Sequence, residues 1–80
     1  MTNKWKELIA INPKIMYGKP VIAGTRVPVD LVLEKLAAGE SYEDLLSAYP
    51  HIGREQLLAC LSYATDLIRN EESTLTTTSL

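Results

Sequence analysis

The sequence predicts a mainly α-helical domain, with three helices in helix-turn-helix order behind short N-terminal β-strands. Three observations carry that prediction. Residues 17–29, Tyr-Gly-Lys-Pro-Val-Ile-Ala-Gly-Thr-Arg-Val-Pro-Val, are rich in β-branched residues and broken by Gly18, Pro20, Gly24 and Pro28, a pattern no helix tolerates. Val29, Val32, Leu33 and Leu36 then recur at i, i+3, i+4 and i+7, which is one face of a helix. Finally, Tyr49-Pro50-His51-Ile52-Gly53 separates two further helical stretches by the short turn of a helix-turn-helix unit.

The elements follow in chain order. Leu8-Ile9-Ala10-Ile11, stopped by Asn12-Pro13, reads as a strand and a turn. Pro20-Val21-Ile22 is a second extended piece, and Arg26-Val27 leads into the first helix, about Val29 to Ala38. Pro28 suits the helix start, because the first helical N–H groups have no intrahelical acceptor. Asp30 complements the dipole there and Gly39 closes the far end, with Leu31 off the stripe and exposed. The second helix spans about Tyr42 to Ala48 with Leu45, Leu46 and Ala48 as its apolar face. Ser41 is its N-cap and Asp44 the reciprocal partner of a capping box. The residue before Pro50 avoids the α region, which ends it. The third helix runs from Arg54 to about Asn70, with Gly53 as N-cap and Ile52 and Leu57 placed as a hydrophobic staple. Its expected buried stripe is Leu57, Leu61, Ala64 and Ile68, flanked by Leu58 and Thr65. The chain thus divides into an N-terminal β arm over 1–28, a three-helix core over 29–70 and a flexible tail over 71–80, rich in Ser and Thr.

Eighty residues make one domain, of a size that buries a modest fraction of its surface and gains from a partner. A homodimer joined through the N-terminal arm is expected, since an edge strand such as Leu8 to Ile11 pairs readily. Cys60 is the sole cysteine, so no intrachain disulfide forms, in keeping with a reducing, cytoplasmic location. No apolar segment is long enough to suggest a membrane span. Residues 1–28 carry Lys4, Lys6, Lys14, Lys19 and Arg26 against Glu7 alone, whereas residues 29–80 carry three cations against nine carboxylates. That asymmetry points to an acidic or polyanionic partner for the arm, or to pairing of the arm with the acidic helices.

Catalysis finds little support, so an enzyme is not expected. His51 is the single histidine and lies in a turn. Cys60 reads as a small buried hydrophobe, and neither metal-ligand nor phosphate-loop spacing occurs. No cofactor is expected. Binding is better supported. As the recognition helix of a helix-turn-helix, the third helix would offer Arg54 to guanine and Gln56 to adenine. Lys14 and Lys19 would contribute phosphate contacts, although Glu55 and Asp66 oppose them. Five neutralised phosphates on the arm correspond to a salt slope of about −4 to −5. Alternatively the arm binds protein. Trp5 is then an interface anchor or a cover for its own core, and Lys19 and Arg26 meet carboxylates in a partner or within the chain.

The residues also resemble a known family. Asn12-Pro13, Gly18-Lys19-Pro20-Val21-Ile22-Ala23-Gly24-Thr25-Arg26-Val27-Pro28-Val29, Leu33 through Gly39, Tyr49-Pro50-His51-Ile52 and Ala59 through Ala64 are similar to the bacterial domain of unknown function four-three-three, over residues 8 to 70. The resemblance implies a homeodomain-like helix-turn-helix fold behind short strands, and a role as the antitoxin of a type II toxin–antitoxin pair. The toxin it implies is a PIN-like nuclease with a carboxylate active site, and operator DNA is a second partner. Lys19 and Arg26 are chemically suited to such a carboxylate cluster. Where the family usually has Ser or Thr before the third helix, this chain has Gly53. Two alternatives stand beside the antitoxin: a DNA-binding regulator without a toxin, and a dimeric interaction module that has lost DNA binding.

Overall fold

The computed structural model describes residues 5–75. Residues 1–4, Lys4 among them, and residues 76–80, half of the expected tail, lie outside the described residues. In chain order the elements are α1 (Trp5–Leu8), β1 (Ile9–Ala10), a 3-10 turn (Met16–Gly18), β2 (Val21–Ile22), α2 (Val29–Ala37), α3 (Tyr42–Ala48) and α4 (Arg54–Leu75). The protein is mainly helical, with four α-helices and a two-stranded antiparallel sheet among the described residues.

The N-terminal strand is shorter than expected. Leu8 closes a helical turn instead, because Trp5 and Leu8, three positions apart, both pack on the core. Ile9 pairs with Ile22 and Ala10 with Val21, and the Ala23 N–H extends the ladder by donating to the Leu8 carbonyl at 2.8 Å. On the other side of β2 the chain folds back after Gly24, which takes φ 80°. The Ile22 N–H donates to Val27 O at 2.9 Å, and Val21 bridges to Pro28. Residues 26–28 therefore run back along β2, tied to it by one hydrogen bond and one isolated bridge, before the helix begins.

Helix α2 matches its predicted stripe: Val29 and Val32 are buried, and Leu33 and Leu36 pack against them. Its end is a Schellman motif. The Gly39 N–H (φ 97°) donates to Leu36 O and the Glu40 N–H to Lys35 O, satisfying carbonyls the helix leaves open. Leu31 is half-buried, not exposed. In α3 the capping box is complete: the Asp44 N–H donates to Ser41 Oγ at 3.0 Å and the Ser41 N–H to Asp44 Oδ2 at 3.2 Å. Leu45 is its buried residue, while Ala48 is exposed, its expected place on the core taken by Tyr42 and Tyr49.

Helix α4 departs most from expectation. It runs five residues past Asn70, as no Gly or Pro interrupts Glu71 to Leu75. Its buried side is Leu57, Ala59 and Cys60, with Tyr63 packed against them, whereas Leu61 and Ile68 are 45% and 63% exposed. The helix is rotated from its predicted stripe because α1 covers the side carrying Tyr63 and Asp66. There the Trp5 indole N–H donates to the Asp66 carboxylate, and its ring meets Tyr63 edge to face with centroids 4.8 Å apart.

Candidate functional site

The segment after β1 is built by local bonds. The Asn12 side chain accepts from the Lys14 N–H at 2.9 Å and its carbonyl from the Ile15 N–H at 2.8 Å, an Asx turn. The chain then enters the left-handed region for three consecutive residues: Met16 at φ 51°, Tyr17 at 57° and Gly18 at 83°. Gly18 takes this conformation freely, but Met16 and Tyr17 each carry about 1–3 kcal/mol of strain. The Gly18 N–H donates to Ile15 O and the Lys19 N–H to Met16 O, both at 3.0 Å, and pin the turn. One consequence is that the Tyr17 side chain stands fully in solvent, at 101% exposure.

Beside it, Thr25 fixes the base of Arg26. Thr25 Oγ1 donates to Ile22 O at 2.7 Å and accepts from the Val27 N–H at 3.0 Å. Pro13, Lys14, Met16, Tyr17 and Arg26 together line an open cleft of about 380 Å³. Lys14 and Arg26 are exposed, and among the described residues neither is in an ion pair. The cleft is therefore a rigid backbone cradle with two free cations and an exposed aromatic ring. It is suited to an anionic or carboxylate-bearing surface.

The other expected site residues are placed differently. Lys19 lies 3.0 Å from Asp30 Oδ2 in an exposed pair, of the kind that adds about 0–1 kcal/mol, and lines a second, apolar groove between α2 and α4. Arg54 sits over the Tyr42 ring, 5.5 Å from its centroid. The Gln56 amide turns back, its Oε1 accepting from the Gly53 N–H at 3.0 Å, so it caps the start of α4 at Gly53, the residue before its first turn. Trp5 is engaged on α4 as described. Cys60 is wholly buried, and burial pushes its thiol up to about 11 from 9.0, which leaves it inert, whereas His51 is exposed. The structure thus brings Lys14 and Arg26 together and keeps Lys19, Arg54, Gln56 and Trp5 apart from them. Tyr17 escaped the sequence reading. The available sign was a bulky residue just before Gly18 in a tight turn.

The fold and the cleft define a small, mainly helical domain with a cationic surface at its N-terminal hairpin. No helix among the described residues is long and apolar enough to cross a membrane. The family model described as "Protein of unknown function (DUF433)" matches residues 9–64, and the chain belongs to that family. Similar to it is the uncharacterized protein y4eO of Sinorhizobium fredii, 41% identical over 59 residues. That match takes in 74% of this chain but 27% of the relative, so the chain spans about a quarter of the length of that protein. The crystal structure of a DUF433 member protein from Anabaena variabilis superposes with a TM-score of 0.75 at 25% identity, covering 91% of this chain and 72% of that one.

Proposed function

We propose that the chain is the antitoxin of a type II toxin–antitoxin pair. In this reading it acts in the cytoplasm by binding rather than catalysis, and blocks a PIN-like nuclease by presenting Lys14 and Arg26 to its carboxylate active site. The observation that supports it is the cleft itself: two unpaired cations beside a fully exposed Tyr17, on a turn held in a costly conformation. Strain of this kind persists where the surroundings enforce it, and it clusters at binding sites. Preformed cations meeting an acidic pocket would contribute both encounter rate and specificity. Lys19, paired with Asp30, takes a lesser part than Arg26.

Operator DNA is the second partner in this reading, with α3 and α4 as a helix-turn-helix of homeodomain-like type and Arg54 as the base-reading residue. It has weaker support, because the exposed side of α4 carries Leu58, Leu61 and Ile68, where base edges and phosphates favour polar and cationic groups. Co-expression with the adjacent gene, scored for growth rescue and co-purification, tests the proposal. Rescue by the intact chain and its loss in a Lys14→Ala/Arg26→Ala variant is the expected result. Undiminished rescue by that variant overturns the assignment of the cleft.

A further inference from the structure

Leu58, Leu61, Thr65 and Ile68 follow one another at intervals of three, four and three residues, the a and d spacing of a heptad. All four are exposed, the three apolar ones at 50%, 45% and 63%. Leu61 and Ile68 belong to the stripe expected to be buried and Leu58 and Thr65 flank it, yet the core uses none of the four. Leu67 turns to the groove between α2 and α4, while Leu58, Leu61 and Ile68 alone present roughly 300 Å² of apolar side chain, the lower end of the largest patch a monomer ordinarily shows. Thr65 does not spoil it: its Oγ1 donates to the Leu61 carbonyl at 2.8 Å, so the hydroxyl is satisfied within the helix and can be covered without loss.

We infer that this seam is a homodimer interface, in which α4 of one chain packs antiparallel on α4 of a second copy. The inference does not rest on the toxin-binding reading. An antiparallel pairing that sets Leu58 against Ile68 and Leu61 against Thr65 is self-complementary, as a two-fold interface requires. The flanking e positions of the same heptad are Glu55, Ser62 and Arg69. Around the two-fold, Ser62 faces its copy, and Glu55 of each chain comes beside Arg69 of the other, twice over. Both are exposed, and among the described residues neither is in an ion pair. A parallel pairing would set each Arg54, at a d position of the same heptad, against its own copy, and opposed helix dipoles also favour the antiparallel arrangement. About 600 Å² per chain is the lower bound of specific interfaces, so the polar rim of Glu55, Ser62 and Arg69 takes part together with the apolar seam. The hairpin edge offers less, since β1 is two residues long.

Sedimentation equilibrium on the intact chain tests this. A species of twice the 8.9 kDa chain mass is expected at micromolar concentration. Leu61→Glu/Ile68→Glu is expected to weaken association on the order of 100-fold or more, while Lys14→Ala/Arg26→Ala leaves it intact. Glu55→Arg is expected to weaken the dimer and the swap Glu55→Arg/Arg69→Glu to restore it, a readout independent of any packing damage. A monomeric wild type, a dimer indifferent to the Leu61 and Ile68 changes, or a charge swap that fails to restore association overturns the proposal.

Discussion

Met16 and Tyr17 hold left-handed backbone conformations that bulky residues seldom adopt. Tyr17 gains no packing from it, being fully exposed, and Met16 is half-buried outside the core cluster. Replacing Tyr17 with Asn, which tolerates that region better, is expected to hold or raise stability by up to about 1 kcal/mol while weakening toxin neutralisation. Urea melts and the rescue assay, read together, check it. Tyr42 is a second case. Its hydroxyl is buried and has no hydrogen-bond partner among the described residues, so Tyr42→Phe removes an unsatisfied group, keeps the ring under Arg54, and is expected to stabilise by about 0–1 kcal/mol. Cys60 yields a pH dependence. Its thiol ionises at about 11 in the fold against 9.0 ordinarily, through burial. A raised folded-state value means that the stabilisation is complete below about pH 9 and is lost as pH climbs towards 11, where the unfolded chain ionises first. Urea midpoints from about pH 8 to 11 should fall more steeply for the wild type than for Cys60→Ala.

At the level of elements, the caps were legible and the faces only partly so. Ser41 and Asp44 marked the start of α3, Gly39 the end of α2, and Gly53 the start of α4, because each signal is local and chemical. The face of α4 was not legible. Two apolar stripes run along that helix, one through Leu57, Cys60 and Tyr63 and one through Leu58, Leu61 and Ile68, and periodicity does not say which turns inward. Tertiary contact decides: α1 needs Tyr63 and Asp66 for Trp5, and that turns the second stripe out. The same limit hid the cleft. Lys14 and Arg26 are twelve residues apart and meet only because Gly24 and the Asx turn at Asn12 fold the hairpin back. The capping box gives a direct check at this scale. Ser41→Ala removes one half of it and is expected to cost about 1 kcal/mol, read as a lower urea midpoint at unchanged slope.

For the whole molecule, the question is whether the N-terminal hairpin folds with the helices or merely beside them. Ile9 and Ile22 share one core cluster with Val32, Leu45 and Leu57, so the hairpin contributes to the same interior that α2, α3 and α4 close. Trp5 ties the far end of the arm to α4 through Tyr63 and Asp66, positions separated from it by most of the chain. A core this small, about ten buried apolar side chains, leaves little stability for two independent units, and marginal domains of this size unfold as one. Trp5 is the only tryptophan, so its fluorescence reports the arm while far-UV circular dichroism reports the helices. The two thermal transitions are expected to coincide. Trp5→Ala is expected to cost about 2–3 kcal/mol, from lost aromatic burial and an unpaired Asp66. The helical transition itself should then move down by about 10–20 °C, at the 4–8 °C per kcal/mol of a chain this short. A fluorescence transition well below the helical one, or a Trp5→Ala variant whose helices melt unchanged, would separate the arm from the core. The rigid support argued for the Lys14–Arg26 cleft would then fail with it.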